Sequence, residues 1–103
     1  MGRFVRVATT DEIPPGRGKV VEVEGREVAI FNAGGGRFFA SGTVCPHEGG
    51  PLGEGLVEGD TVICPWHGYD FDLRTGDCPV DPNLRIPVYK VKVEGTDIFI
   101  TVP

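Results

Sequence analysis

The chain has 103 residues, and its 15 Asp and Glu against 10 Lys and Arg leave a formal charge of −5. That length builds one small domain and excludes an enzyme carrying its own flavin or nicotinamide domain. An acidic balance without a Lys/Arg run excludes the footprint of a nucleic-acid binder, and an apolar fraction of 40% excludes a disordered chain despite 16 glycines and 9 prolines.

The start, Met1-Gly2-Arg3-Phe4-Val5-Arg6-Val7, holds no apolar run of secretion-signal length, and nowhere do eighteen apolar residues follow one another. A cytoplasmic protein without a membrane partner is expected. Phe4 to Val7, Lys19 to Val23 and Arg26 to Asn32 are short, β-branched and bounded by turn residues, so they are expected as strands. Glu24-Gly25 supplies a hairpin turn, and Ala33-Gly34-Gly35-Gly36 separates the third strand from Arg37-Phe38-Phe39-Ala40, which suggests a meander. Asp11, Glu12, Glu22, Glu24 and Glu27 form a solvated face on this pattern. From Gly42 to Arg85 the composition changes: most prolines, all three cysteines and both histidines gather in a stretch without apolar periodicity. A bound ion or cluster would organise such a loop-rich insertion. Val88-Tyr89-Lys90-Val91-Lys92-Val93 then alternates, and Glu94-Gly95-Thr96-Asp97 turns it into Ile98-Phe99-Ile100-Thr101-Val102, the clearest hairpin of the chain. No long helix and no internal repeat is visible.

Within the insertion stand Cys45-Pro46-His47 and Cys64-Pro65-Trp66-His67, with sixteen residues between His47 and Cys64. Taken singly, a cysteine is usually a small core hydrophobe and a histidine an ordinary polar group. Taken jointly, both histidines and two of three cysteines fall in two short loops of matching Pro/Gly content, which is the pattern of a metal centre. An odd number of cysteines gives no even disulfide framework. Two metals suit two thiolates and two imidazoles. Zinc accepts the set in a tetrahedron, although its small modules favour Cys-Cys and His-His pairs over mixed ones. A [2Fe–2S] cluster with two histidines replacing two cysteines on one iron is the other.

The pattern Cys-x-His, spacer, Cys-x-x-His resembles the Rieske family, and the resemblance runs on through Gly68-Tyr69-Asp70-Phe71 and Leu73-Arg74-Thr75-Gly76. It implies an all-β fold: an antiparallel sandwich or barrel base, with residues 1–103 as a single domain and 42–85 as a smaller loop-rich cluster-binding lobe. By the same resemblance Cys45 and Cys64 hold the inner iron of one [2Fe–2S] cluster, His47 and His67 hold the outer iron near the tip, and Asp77 to Pro82 is the proline loop over the cluster. Cys78 receives no ligand role and is expected as a buried or free thiol. Trp66, between two ligands, is expected to shield the cluster, with docking as its second role.

In respiratory and photosynthetic members each ligand loop carries an extra cysteine, and the pair forms a disulfide. Gly50 and Trp66 stand at those places here. Those members also place a Ser and a Tyr, both O–H donors to sulfur, where this chain has Tyr69 and Phe71. The oxidised cluster with two thiolates and neutral histidines is uncharged and its reduced form carries −1, so donors favour reduction. If each lost bond is worth about 1.5–3 kcal/mol, two losses lower the potential by roughly 130–260 mV, toward the low end of the Rieske range near −150 mV. Glu48, Glu54 and Asp70, if unpaired, push the same way.

With both histidines assigned, none remains for the mononuclear iron of an oxygenase, so the chain is expected to move electrons without catalysing a reaction itself. The resemblance implies a ferredoxin that carries one electron from a flavoprotein reductase to a terminal oxygenase, such as an aromatic-ring-hydroxylating dioxygenase. Two alternatives stand beside it: the small Rieske subunit of a larger enzyme such as a nitrite reductase, and a zinc-stapled interaction module.

Overall fold

The computed structural model describes residues 3–46, 49–66 and 68–102. Ten strands follow in chain order: β1 (Arg3–Thr9), β2 (Gly18–Val23), β3 (Arg26–Gly34), β4 (Arg37–Ser41), β5 (Leu56–Glu58), β6 (Thr61–Ile63), β7 (Asp70–Asp72), β8 (Val88–Tyr89), β9 (Val91–Glu94) and β10 (Asp97–Val102). Three-residue 3-10 turns at Thr10–Glu12 and Leu52–Glu54 are the only helical elements among the described residues. The expected all-β class is observed.

The strands form three antiparallel sheets, ordered β1-β10-β9, β2-β3-β4-β8 and β5-β6-β7. The β2-β3 turn is built by Glu24 (φ 52°) and Gly25 (φ 80°), two consecutive left-handed residues whose twist matches that of the flanking strands. β2 to β4 make the expected meander. β1 does not join it; it pairs instead with β10 at the far end of the sequence, from Arg3 opposite Val102 to Thr9 opposite Asp97. The run from Val88 to Val93 is also not one strand. It breaks at Lys90, where the chain leaves its partner β4 for β10, and Thr101 holds the break with its backbone N–H on the Lys90 carbonyl (3.0 Å).

β3 divides the interior. Val28 and Ile30 point to one side and join Ala8, Ile13, Val23, Ala40, Ile98 and Ile100 between the first two sheets. Ala29 and Phe31 point to the other and join Cys45, Leu52, Val57, Val62, Cys64 and Phe71. This is why Val28-Ala29-Ile30-Phe31 is uninterruptedly apolar: a strand covered on both faces loses the in/out alternation. Each large side chain so buried contributes about 1.5–3 kcal/mol.

The third sheet lies within 42–85, the stretch expected as loop-rich, and its strands are only three residues long. Val57, Val62 and Phe71 stand opposite one another in adjacent strands and turn their side chains into the second core. Charged groups tie this sheet to the second one. Arg37 of β4 pairs with Asp60, and Arg74 reaches both Asp72 (3.0 Å) and Asp60 (3.6 Å). The hydrogen bonds from Arg74 hold the Asp72 carboxyl below its ordinary pKa. Near the N-terminus, Thr9 donates its backbone N–H (2.9 Å) and its hydroxyl (2.8 Å) to the Glu12 carboxylate, which also pairs with Lys19. The five residues expected as a solvated acidic face are all exposed, with Glu12 and Glu24 in ion pairs.

Candidate metal centre

Two loops carry Cys45 and Cys64, one after β4 and one after β6. The first leaves β4 after Ser41 and is pinched by an antiparallel bridge between Val44 and Pro51. Inside it the Cys45 N–H donates to the Gly50 carbonyl (2.9 Å), and the Gly49 N–H donates to the Cys45 carbonyl (2.7 Å). The second leaves β6 after Ile63 and closes when the Cys64 N–H donates to the Tyr69 carbonyl (2.7 Å). Each loop needs a left-handed residue four positions after its cysteine, and glycine supplies it: Gly49 at φ 74° and Gly68 at φ 70°. The similarity in sequence is therefore a similarity in backbone.

Both thiols are fully buried and belong to the same core cluster. Gly50 brings their two loops together. Its carbonyl is bound to the Cys45 backbone, and a Cβ placed on it would lie 3.0 Å from the Cys64 Sγ and 3.1 Å from Cγ of Trp66. A side chain there would push the two loops apart. Leu52, fully buried, fills the floor beneath the first loop and donates its N–H to the Thr43 carbonyl (3.0 Å).

Of the four expected ligands, His47 and His67 lie outside the described residues, as does Glu48. The described half of the set is the thiol half, Cys45 and Cys64. Phe71 is fully buried in the shared core and offers no hydroxyl, while Tyr69 is half-buried against it. Trp66 lies over Gly50 yet keeps 48% of its surface exposed, so it covers the loops on one side and faces solvent on the other. Cys78 is a buried thiol in the same core, as expected. The segment 77–82 turns tightly, with the Asp81 N–H on the Cys78 carbonyl (3.2 Å) and Arg85 paired to Asp77 (3.0 Å) at its base.

One supporting position entered the sequence reading only within the stretch of resemblance, with its role unread. Gly76 has φ 87°, and a Cβ on it would lie 2.1 Å from the Ile86 carbonyl oxygen, so nothing larger fits where the chain returns toward β8. Such a close approach exists only once distant segments are assembled. The donors that are described, two buried soft thiols in loops that each have a closing hydrogen bond and a left-handed glycine, fit an iron–sulfur group bound through thiolates.

Comparison with known proteins agrees. The model of the Rieske [2Fe-2S] domain matches residues 3–100. The chain is 36% identical over 99 residues to the biphenyl dioxygenase ferredoxin subunit of Pseudomonas sp. (strain KKS102), covering 94% of this chain and 90% of that one. Among solved structures it is similar to the ferredoxin in a complex of reduced oxygenase and oxidized ferredoxin in carbazole 1,9a-dioxygenase, with a TM-score of 0.81, 26% identity and coverage of 94% and 91%. It is also similar to a putative NADH-dependent nitrite reductase small subunit from Mycobacterium tuberculosis, with a TM-score of 0.91, 28% identity and coverage of 100% and 97%. With the motif, the all-β architecture and the paired thiol loops, these matches show that the chain belongs to the Rieske [2Fe-2S] domain family and carries one [2Fe–2S] cluster.

Proposed function

We propose that the protein is a one-electron carrier that takes electrons from a flavoprotein reductase and hands them to a terminal oxygenase of an aromatic-ring-hydroxylating system. Cys45 and Cys64 bind the inner iron, His47 and His67 bind the outer iron, and residues 42–85 form the cluster-binding lobe of a single domain. The observation that carries this assignment is that two fully buried thiols lie in one core cluster, each in a loop with a left-handed glycine four residues on, and that Gly50 joins the two loops through the Cys45 backbone and the Cys64 thiol. When bound, the cluster supplies a one-electron couple. The chain's part is to hold it: the two thiols bind, the Gly50 contact fixes the distance between their loops, and Phe71 and Leu52 exclude water from the buried side. Trp66 covers the loops from outside while leaving an aromatic surface open to a partner. The protein acts without catalysing a reaction of its own, in the cytoplasm, where thiols stay reduced and available as ligands. Among the described residues no helix is long and apolar enough to cross a membrane.

Identity to the biphenyl dioxygenase ferredoxin subunit is 36% against 28% to the nitrite reductase subunit, whereas the backbone match to the latter, with a TM-score of 0.91, is better than the 0.81 to the carbazole dioxygenase ferredoxin. That second likeness supports an alternative as the small subunit of a reductase. The first experiment is to record visible and electron paramagnetic resonance spectra of protein purified without added metal, before and after dithionite, with iron quantified. A red-brown protein whose reduced signal has a lower average g value than all-thiolate clusters supports the ligand set; a colourless, zinc-loaded protein overturns it. Isolation in a stable complex with a large reductase would replace the carrier with the subunit.

A further inference from the structure

Beside the first ligand loop lies an open groove of about 390 Å³, bounded on one side by Val44, Pro51 and Trp66 and on the other by Val20 and Glu27 of the β2-β3 hairpin, with Glu54 at its edge. Its walls include apolar groups that remain in solvent: Val44 is 58% and Val20 43% exposed. Its charge has one sign. Glu27 stands directly opposite Glu22 across the hairpin, on the same face as Val20 and Ala29, an arrangement of like charges that costs stability. Among the described residues none of Glu22, Glu27 and Glu54 has an ion-pair partner. The wider distribution points the same way: residues 42–85 hold eight carboxylates against two arginines, while the remaining chain holds seven against eight bases. The excess negative charge of the molecule is thus concentrated around the segment with the thiol loops.

We propose that this groove is a docking cleft for a loop of a partner protein that presents a basic side chain beside an apolar one. The aliphatic stem lies on Val20, Val44 and Trp66, and the cation meets Glu27 and Glu54, relieving the repulsion between Glu27 and Glu22. Electrostatic attraction orients the encounter and apolar contact holds it, beside the cluster loops where an electron must cross. This rests on the electron-carrier function.

The test uses reduced holoprotein and oxidised cytochrome c as a basic probe, followed by stopped flow at low and high salt, with a small uncharged quinone as a second acceptor. Glu27→Gln is expected to slow cytochrome c reduction roughly three- to tenfold at low salt and to flatten its salt dependence. The same variant should leave quinone reduction unchanged and raise Tm, since a repulsion is removed. Glu94→Gln, an equal charge change on β9, should leave all of these rates as they were. Equal behaviour of the two variants toward cytochrome c overturns the docking cleft while the carrier stands. Failure of the wild type to reduce either acceptor overturns the carrier, and the cleft with it.

Discussion

The two ends of the chain and its middle are stabilised in different ways. The ends build long hairpins: β2 with β3 and β9 with β10 pair over consecutive residues through two-residue turns, and Ile98 and Ile100 fill their core by alternation. The middle builds strands of three residues, too short to be stable alone, and depends on glycines at tight approaches, on Arg–Asp pairs and on the contacts of two thiols. A region of the first kind is expected to tolerate the loss of a single surface contact. A region of the second kind is expected to depend on the group it binds.

Removing a proposed ligand is the strongest way to break that contrast. Cys64→Ser should abolish the visible absorption of the cluster and strip amide protection from residues 42–85, while β1 to β4, β9 and β10 keep theirs; hydrogen exchange reads both. Uniform loss of protection would show that the ends depend on the cluster as well. Glycine substitutions sharpen the contrast next. Gly76→Ala meets both a left-handed backbone and a carbonyl at 2.1 Å, so it should lose on the order of 3 kcal/mol or more in denaturant unfolding, whereas Gly35→Ala, left-handed with nothing within 4 Å, should lose only about 1 kcal/mol. Within the middle region, Phe71→Tyr introduces a hydroxyl at the position where the resemblance to respiratory and photosynthetic members places a tyrosine. One new bond to the cluster should raise the midpoint potential by about 60–130 mV in a redox titration; no shift would mean that the loss of this donor does not set the potential.

The smallest effect belongs to the ends. The Glu12 carboxyl is lowered from 4.5 to about 2, first by its bond from Lys19 and then by those from Thr9. Because the folded state holds the proton less tightly than the unfolded chain, its contribution is complete above pH 4.5 and disappears as pH falls toward 2. Glu12→Gln should therefore lower Tm slightly at neutral pH, with the difference from wild type vanishing near pH 2. A difference independent of pH would assign the role to packing.

These two regions were also unequally legible. The ends announce themselves: Glu24-Gly25 and Gly95-Thr96 are turn residues between runs with strand composition, and β2, β3 and β10 fall within two residues of expectation at each boundary, while β9 starts three residues late because the run from Val88 breaks at Lys90. The pairing of β1 with β10 was not legible, because nothing near Phe4 specifies a partner at the other end of the chain. In the middle, Cys45 and Cys64 stood out by residue type and spacing, yet β5 to β7 did not. Two or three residues give no measurable period, and only the turn Glu58-Gly59-Asp60 between two apolar pairs hinted at the β5-β6 hairpin. Gly50 drew notice as a turn residue of the first loop and as the place of an absent cysteine; that a side chain on it would meet the Cys64 thiol is a property of the assembled structure.

The pairing of Ala40 with Tyr89 and of Ser41 with Val88, reinforced by the Gly42 N–H on the Pro87 carbonyl (3.0 Å), brings the chain back to where it departed. Everything between is one connection joining two adjacent strands. Closure entropy grows only logarithmically with loop length, by about 0.6 kcal/mol for each doubling, so the sheet bears a long excursion there at nearly the cost of a short one. The redox apparatus is in this sense an enlarged turn, and residues can be added to it far from that closing pair with little demand on the strands that support it.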